Sequence, residues 1–175
     1  MLKKVVVLGP ESTGKSVLCN QLAAHYSTKW VNEYARNYLL KNGKEYKYED
    51  LIRIAEGQIK SEDQLARECI ENSCLFIDTD MYVMKVWSEF VFNDCDIRIL
   101  NNIVKRKYDL YLLADIDLPW QADELREYPD IEQREKLFNF YLDAMLNQPV
   151  PFRIISGMNN DRFKMAVNAV DELLK

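Results

Sequence analysis

Gly9-Pro10-Glu11-Ser12-Thr13-Gly14-Lys15-Ser16 decides how this chain is read. The stretch fits G-x-x-x-x-G-K-[ST], and its flanks fit as well. Upstream, Lys3–Leu8 is an apolar, Val-rich run that reads as a buried strand. Downstream, Ser16–Tyr26 reads as a helix. Strand, glycine loop and helix together turn a string match into a phosphate site. Backbone N–H groups from Gly9 through Glu11, Ser12, Thr13 and Gly14 to Val17 can wrap a phosphate, and the helix N-terminus adds positive potential. Lys15 reaches the β/γ-phosphates, and the Ser16 hydroxyl can ligate Mg²⁺. Gly9 and Gly14 let the backbone turn and approach the ligand without a Cβ. A glycine-rich turn with no ligand would leave Lys15 as a positive charge aimed at nothing.

Working outward, short apolar runs alternate with helical patterns. Lys29–Val31 is a short strand leading into a helix over Glu33–Lys41. Tyr48–Asn72 is a long helical stretch with Leu51, Ile54, Ala55, Ile59, Leu65, Ala66 and Ile70 on a 3.6-residue period. Cys74–Asp78 is a strand, Met81–Phe92 a helix, Asp94–Lys107 helical and Tyr108–Ala114 a strand. Ile131–Leu146 is a helix, Phe152–Ile155 the last strand, and Asp161–Leu174 a closing helix with Asp161 as its N-cap. The fold class expected is α/β: a P-loop NTPase with a five-stranded, mostly parallel sheet, helices on both faces and a lid at about 115–135. The whole of 1–175 is expected to form one domain. Ligands on such sheets bind at the C-terminal ends of the strands.

The strand ends therefore carry the chemistry. Phe76-Ile77-Asp78-Thr79-Asp80 has the Walker-B form, in which Asp78 orders Mg²⁺ or its water shell. Asp80 either binds substrate or metal, or N-caps the helix over Met81–Phe92. Glu33, after the second strand, is the candidate base for an acceptor hydroxyl, worth roughly 10²–10⁴ in rate; Glu at a helix start is also favoured by the dipole alone. Arg36, one turn on, either pairs with Glu33 or contacts phosphate. After the fourth strand comes a polar, Pro-containing segment with Trp120, Arg126 and then Arg134. Mobile arginines there can neutralise charge on a transferring phosphoryl group, or they are ion pairs with Asp123, Glu124 or Glu132. A Pro-Trp pair there can stack a flat ring. Gly57-Gln58 sits inside a helical pattern, so something approaches closely: another helix or a ligand. The loop Ser156–Asp161, with Arg162 behind it, is where an adenine base could lie.

Composition narrows the classes. The formal net charge is −5 with no Lys/Arg block, which disfavours nucleic acid as a partner. No apolar run reaches membrane-span length. The chain passes from Met1 straight into a strand, so no signal peptide is expected and the location expected is cytoplasmic. Cys19, Cys69, Cys74 and Cys95 form no C-x-x-C pair, and His25 is the single histidine, which argues against zinc.

Taken together, G-P-E-S-T-G-K-S, E-Y-A-R, I-A-E-G-Q, F-I-D-T-D, Y-D-L-Y-L-L, D-x-P-W-x-x-D-x-L-R and D-R-F resemble, in order and spacing, the ribosylnicotinamide kinase domain of NadR-type bacterial proteins, within the P-loop kinases. The resemblance spans about residues 3–174. It implies transfer of the ATP γ-phosphate to the 5′-hydroxyl of nicotinamide riboside, with Mg²⁺, on a five-stranded parallel sheet with a lid. By motif, Lys15 and Ser16 hold phosphate and metal, and Asp78 is the Walker-B acid. Glu33, Tyr34 and Arg36 line the acceptor side; Trp120, Asp123 and Arg126 belong to the lid. The family often has Gly where this chain has Glu124, a change that bears on the acceptor more than on phosphoryl transfer. The adenylyltransferase and DNA-binding domains of longer relatives are not expected, and an H-x-G-H signature needs two histidines. The alternatives are a kinase for another nucleoside or small alcohol, or a small ATPase or nucleotide switch acting through a protein partner. Ras-type guanine reading lacks its N-K-x-D. A homo-oligomer stays open.

Overall fold

The computed structural model describes residues 1–69 and 74–175. Among them the chain runs β1 (Lys3–Leu8), α1 (Lys15–His25), β2 (Lys29–Val31), α2 (Tyr34–Asn42), α3 (Tyr48–Glu68), β3 (Cys74–Asp78), α4 (Met81–Phe92), α5 (Ile97–Lys105), β4 (Leu110–Ala114), α6 (Ile131–Leu146), β5 (Phe152–Ile155) and α7 (Asn160–Leu174). The strands form one sheet in the order β2-β3-β1-β4-β5, and every pairing is parallel. The chain winds from β1 toward β2 and β3, then crosses β1 to build β4 and β5. That reversal opens a crevice at the C-terminal end of β1, where the P-loop begins.

Alternation along β1 builds both faces. Val5 and Val7 point with Phe76, Leu112 and Ile155 toward Leu18, Leu22, Ala166 and Val170 of α1 and α7. Val6 and Leu8 point with Ile77, Tyr111 and Leu113 toward Val83, Val86, Leu137 and Tyr141 of α4 and α6. Burial on both sides explains why β1, β3 and β4 read as unbroken apolar runs. A third cluster, including Ala35, Leu51, Ile54, Met84 and Ile99, locks α2, α3, α4 and α5 together beside the sheet.

Some boundaries differ from expectation. The helix expected over Asp94–Lys107 starts at Ile97, because Asp96 caps it by accepting the Arg98 N–H at 2.8 Å. The strand expected from Tyr108 starts at Leu110. The last helix is not capped by Asp161: Asn159, at φ 49°, takes the cap position without a side-chain hydrogen bond, and Asp161 lies in the first turn, where its charge still complements the dipole. The far end of the Tyr48–Asn72 stretch, with Ile70, lies outside the described residues; α3 itself runs to Glu68.

Candidate active site

The P-loop forms as its residues dictate. Gly9 has φ 136°, and a Cβ there would meet the Ala114 carbonyl oxygen at 2.8 Å, so β4 passes too close for any side chain. Gly14 caps α1 without a side-chain acceptor, and the first turn carries no acidic residue. The leading N–H groups of α1 are thus left for an anion. Lys15 Nζ donates to the Pro10 carbonyl at 2.7 Å, and Thr13 Oγ1 donates to the same oxygen at 2.8 Å.

Asp78 lies at the end of β3, fully buried. Ser16 Oγ donates to its Oδ2 at 2.5 Å, while Oδ1 is buried without a hydrogen-bond partner. Burial first, then the charge of Glu33, pushes this carboxyl up to about 7, against the pull of Lys15 and Ser16. A hydroxyl beside an unsatisfied carboxylate oxygen is the hard-oxygen pair that suits Mg²⁺. Asp80 is placed differently. Its Oδ1 accepts the Tyr82 and Val83 N–H groups at 3.0 and 3.3 Å, and its Oδ2 accepts the Tyr111 hydroxyl at 3.1 Å. Of its two sequence alternatives, the carboxylate is spent on capping α4.

A cavity of about 420 Å³ opens over the P-loop. Gly9, Glu11, Ser12, Thr13, Gly14, Lys15, Ser16 and Val17 of the P-loop line it. So do Glu33 and Arg36 at the start of α2, and Asp123 and Arg126 from the segment after β4. Trp87 and Phe90 of α4, Tyr128, and Leu137 and Tyr141 of α6 complete the lining with apolar and aromatic surface. Glu33 occupies the cap position of α2 without capping it. Among the described residues no hydrogen bond or ion pair ties its carboxylate. The indole N–H of Trp87 donates to the Tyr46 hydroxyl at 2.9 Å, which in turn donates to Glu127 at 3.0 Å, so Trp87 is tied to the segment after β4.

That segment, residues 115–130, holds no helix or strand and lies across the P-loop. Glu11 holds it there. Its carboxylate accepts the Trp120 indole N–H at 3.2 Å, the Glu127 N–H at 3.0 Å and the Tyr128 N–H at 2.7 Å. Ser12 Oγ accepts the Gln121 N–H at 2.9 Å. In sequence Glu11 counts only for its backbone; the acid type at a position where any residue fits the motif is the available signal. Arg36 pairs with Asp123, not Glu33. Arg126 donates to the Gln121 carbonyl at 2.5 Å. Arg134 is buried on α6, donating from Nη2 to the Leu118 carbonyl at 3.1 Å with its Nε unpartnered. Neither forms the surface ion pair that was the alternative for both. Glu124 is exposed and outside the cavity lining.

Tyr34, Trp120, Arg134 and Arg162 also stay off the lining. The Tyr34 ring lies on Gly57: a Cβ there would sit 2.2 Å from a ring carbon, which identifies the close approach as packing by a neighbouring helix. Arg162 is a hub. Its Nε donates to Gly157 O at 3.0 Å, its Nη1 to Ile155 O at 2.9 Å and Thr13 O at 3.3 Å, and its Nη2 to Asp115 O at 3.2 Å and to the Asp117 carboxylate. A guanidinium has five N–H groups, so none is left for a nucleotide phosphate. Arg162 instead fixes the loops around the place expected for the base.

A parallel sheet in this order, with a P-loop after β1 and an acid closing β3, defines a P-loop NTPase. Residues 4–162 match the AAA_28 family, described as an AAA domain, and the chain belongs to that family. Among curated proteins, the trifunctional NAD biosynthesis/regulator protein NadR of Escherichia coli (strain K12) is 28% identical over 178 residues, which cover 99% of this chain and 43% of that protein. The chain thus spans less than half the length of this relative. A solved NadR protein in complex with NR matches with a TM-score of 0.82 at 23% identity, over 98% of this chain and 49% of that one. Thymidylate kinase from Ehrlichia chaffeensis matches with a TM-score of 0.70 at 14% identity, over 99% of both chains. These solved structures share the fold. Among the described residues no helix is long and apolar enough to cross a membrane.

Proposed function

We propose that this chain is an ATP-dependent kinase that phosphorylates the 5′-hydroxyl of nicotinamide riboside to nicotinamide mononucleotide. The observation that carries it is one cavity lined by the P-loop, by Glu33, whose carboxylate is untethered among the described residues, and by the rings of Trp87, Phe90, Tyr128 and Tyr141. The NadR relatives, one solved with NR, supply the acceptor's identity in this reading.

Each residue has a task. Lys15 leaves the Pro10 carbonyl for the β/γ-phosphate oxygens, and the α1 N-terminus holds the β-phosphate. The acceptor oxygen bonds to the γ-phosphorus as the bond from phosphorus to the β,γ-bridging oxygen breaks. The hydroxyl proton passes to Glu33, and ADP departs. Ser16 and Asp78 would hold Mg²⁺, which when bound would neutralise charge on the phosphates. Arg126, which lines the cavity, approaches the γ-phosphate from the lid side. The segment held by Glu11 keeps water from the γ-phosphate. We read the chain as one kinase domain acting in the cytoplasm on small molecules.

A second reading keeps this machinery and changes the acceptor to another nucleoside or small alcohol. The test is ATP consumption with Mg²⁺ against nicotinamide riboside, uridine, cytidine, thymidine, deoxyadenosine, pantothenate and no acceptor, with product masses. Turnover with nicotinamide riboside alone, and a product heavier by one phosphate, is the expected result. Turnover with another acceptor moves the substrate. Equal hydrolysis in every well points to an ATPase or switch.

A further inference from the structure

From the hydrogen bonds of one buried amide, we infer that Gln58 is a positioning residue that sets the distance between the acceptor base Glu33 and the metal-side acid Asp78. Gln58 lies on α3, and only 1% of its surface is exposed. Its Nε2 donates to the Asp78 carbonyl at 3.1 Å and the Thr79 carbonyl at 2.8 Å, and its Oε1 accepts the Tyr34 N–H at 2.8 Å. Three of the four hydrogen bonds that a glutamine amide can make therefore fasten two backbone segments that carry the two carboxylates. Tyr34 is the residue after Glu33, and Thr79 the residue after Asp78.

Neither segment is held there by ordinary means. Glu33 starts α2 without capping it, so the leading N–H groups of that helix lack a local acceptor, and Gln58 supplies one. Thr79 is β-branched at φ 79°, a conformation that persists only when its surroundings over-determine it. Its Oγ1 is buried without a partner, so its backbone alone anchors it. The Gln58 amide, with the Thr79 N–H donating to Val7 O at 3.3 Å, provides that anchorage. Gly57 beside it lets the Tyr34 ring lie on α3, which brings the Tyr34 N–H within reach. The glycine and the glutamine are thus one device. No atom of Gln58 lines the cavity, so it acts through Glu33 and Asp78.

The role in turnover rests on the kinase reading above; the fastening itself does not. The test uses the full chain as Gln58→Met, which keeps length and loses all three bonds, and Gln58→Glu, which keeps an acceptor for Tyr34 and loses the donors. Kinetics with the acceptor that wild type prefers are measured together with thermal melting and amide exchange at Tyr34. The expected result is a folded Gln58→Met whose kcat falls roughly 10²-fold with KM for ATP nearly unchanged, since misplacement of about 1 Å has that effect. Tyr34 exchange is expected to rise in Gln58→Met and to change least in Gln58→Glu. If Gln58→Met does not fold, Gln58→Glu decides by the same kcat-against-KM split. Unchanged kcat in a folded variant, or a loss seen only in KM for ATP, overturns the inference. If wild type transfers phosphate to no acceptor, the kinase reading fails, and Tyr34 protection decides about Gln58: unchanged protection in Gln58→Met overturns it.

Discussion

Arg36 and Asp123 face each other as a two-bonded guanidinium–carboxylate pair, Nη1 to Oδ1 at 3.0 Å and Nη2 to Oδ2 at 2.9 Å. The pair ties the end of α2 that carries Glu33 to the segment lying over the P-loop. The guanidinium beside it holds the Asp123 carboxyl down at about 2. Two N–H···O bonds in parallel fix direction as well as distance. Arg36 is largely solvent-exposed, so the pair contributes at most about 1 kcal/mol to stability. Its larger effect is on geometry. Arg36→Ala should leave the melting temperature within a few degrees and raise KM for the acceptor. The double reversal Arg36→Asp with Asp123→Arg should recover part of that loss in steady-state assays. No recovery would mean that each residue acts separately.

Glu11 makes a sharper prediction. Its carboxylate is the main fastening of residues 115–130 onto the P-loop. Glu11→Ala removes the acceptor for three N–H groups and should free the segment. Water then reaches the γ-phosphate, so hydrolysis without acceptor should rise relative to transfer. Limited proteolysis should cut within 115–130 in the variant and spare wild type. An unchanged hydrolysis-to-transfer ratio would assign the water barrier to something else.

Lys15→Ala should abolish turnover with the fold intact by circular dichroism. Glu33→Gln should lower kcat by roughly 10²–10⁴ while ATP binding, measured by calorimetry with a non-hydrolysable analogue, persists. A Glu33→Gln enzyme at the wild-type rate would remove Glu33 as base.

The buried Asp78 carboxyl predicts a pH dependence. Its folded value, about 7, lies above its ordinary 3.8. Between those values the folded chain binds a proton that the unfolded chain has released. Its contribution to stability therefore declines as pH rises from about 4 to 7, and is level above that. Asp78→Asn removes the charge and should melt higher than metal-free wild type at pH 8, with a smaller gap at pH 5. About 1 kcal/mol moves the midpoint of a chain this size by roughly 2–4 °C. Added Mg²⁺ should narrow the gap at pH 8, by stabilising wild type alone. Equal gaps at both pH values would contradict the placement of this charge.

Gly57→Ala tests packing. Alanine is favoured over glycine inside a helix by about 1 kcal/mol. Here the new methyl would meet the Tyr34 ring at 2.2 Å. Overpacking of this kind costs typically 1–3 kcal/mol, so the variant should melt below wild type. Tyr34→Ala combined with it should reverse the sign.

How far the sequence could be read follows from which signals are local. The strands β1 and β3 show in sequence because Val5–Leu8 and Cys74–Ile77 are buried and so read as apolar runs, while the edge strands β2 and β5 are short and partly exposed. The places of Lys15 and Ser16 at the start of α1 and of Asp78 at the end of β3 were legible because motif and context coincide. Asp80 was ambiguous: an acid before a helix is both a cap and a ligand in sequence, and the Tyr111 hydroxyl, 31 residues on, decided it. Gly57 announced a close neighbour without naming Tyr34. The N–H donors that Glu11 accepts from lie 109 to 117 residues away, so no local pattern could show them. Arg162 shows in sequence only as a charge beyond a loop; its five acceptors come from three separate stretches of chain. Side-chain partnerships across the crevice are set by topology, and topology is not periodic.

Arg162 also divides the molecule into a fixed jaw and an adjustable one. Beneath the crevice, its bonds join the P-loop, the exit of β4 and the exit of β5 before any nucleotide arrives, so that half needs little rearrangement on binding. Above the crevice, the contacts run through Glu11, Ser12 and an exposed Arg36–Asp123 pair, each replaceable one at a time. A descendant of this chain could exchange its upper jaw for one fitted to a different acceptor while inheriting the lower jaw whole.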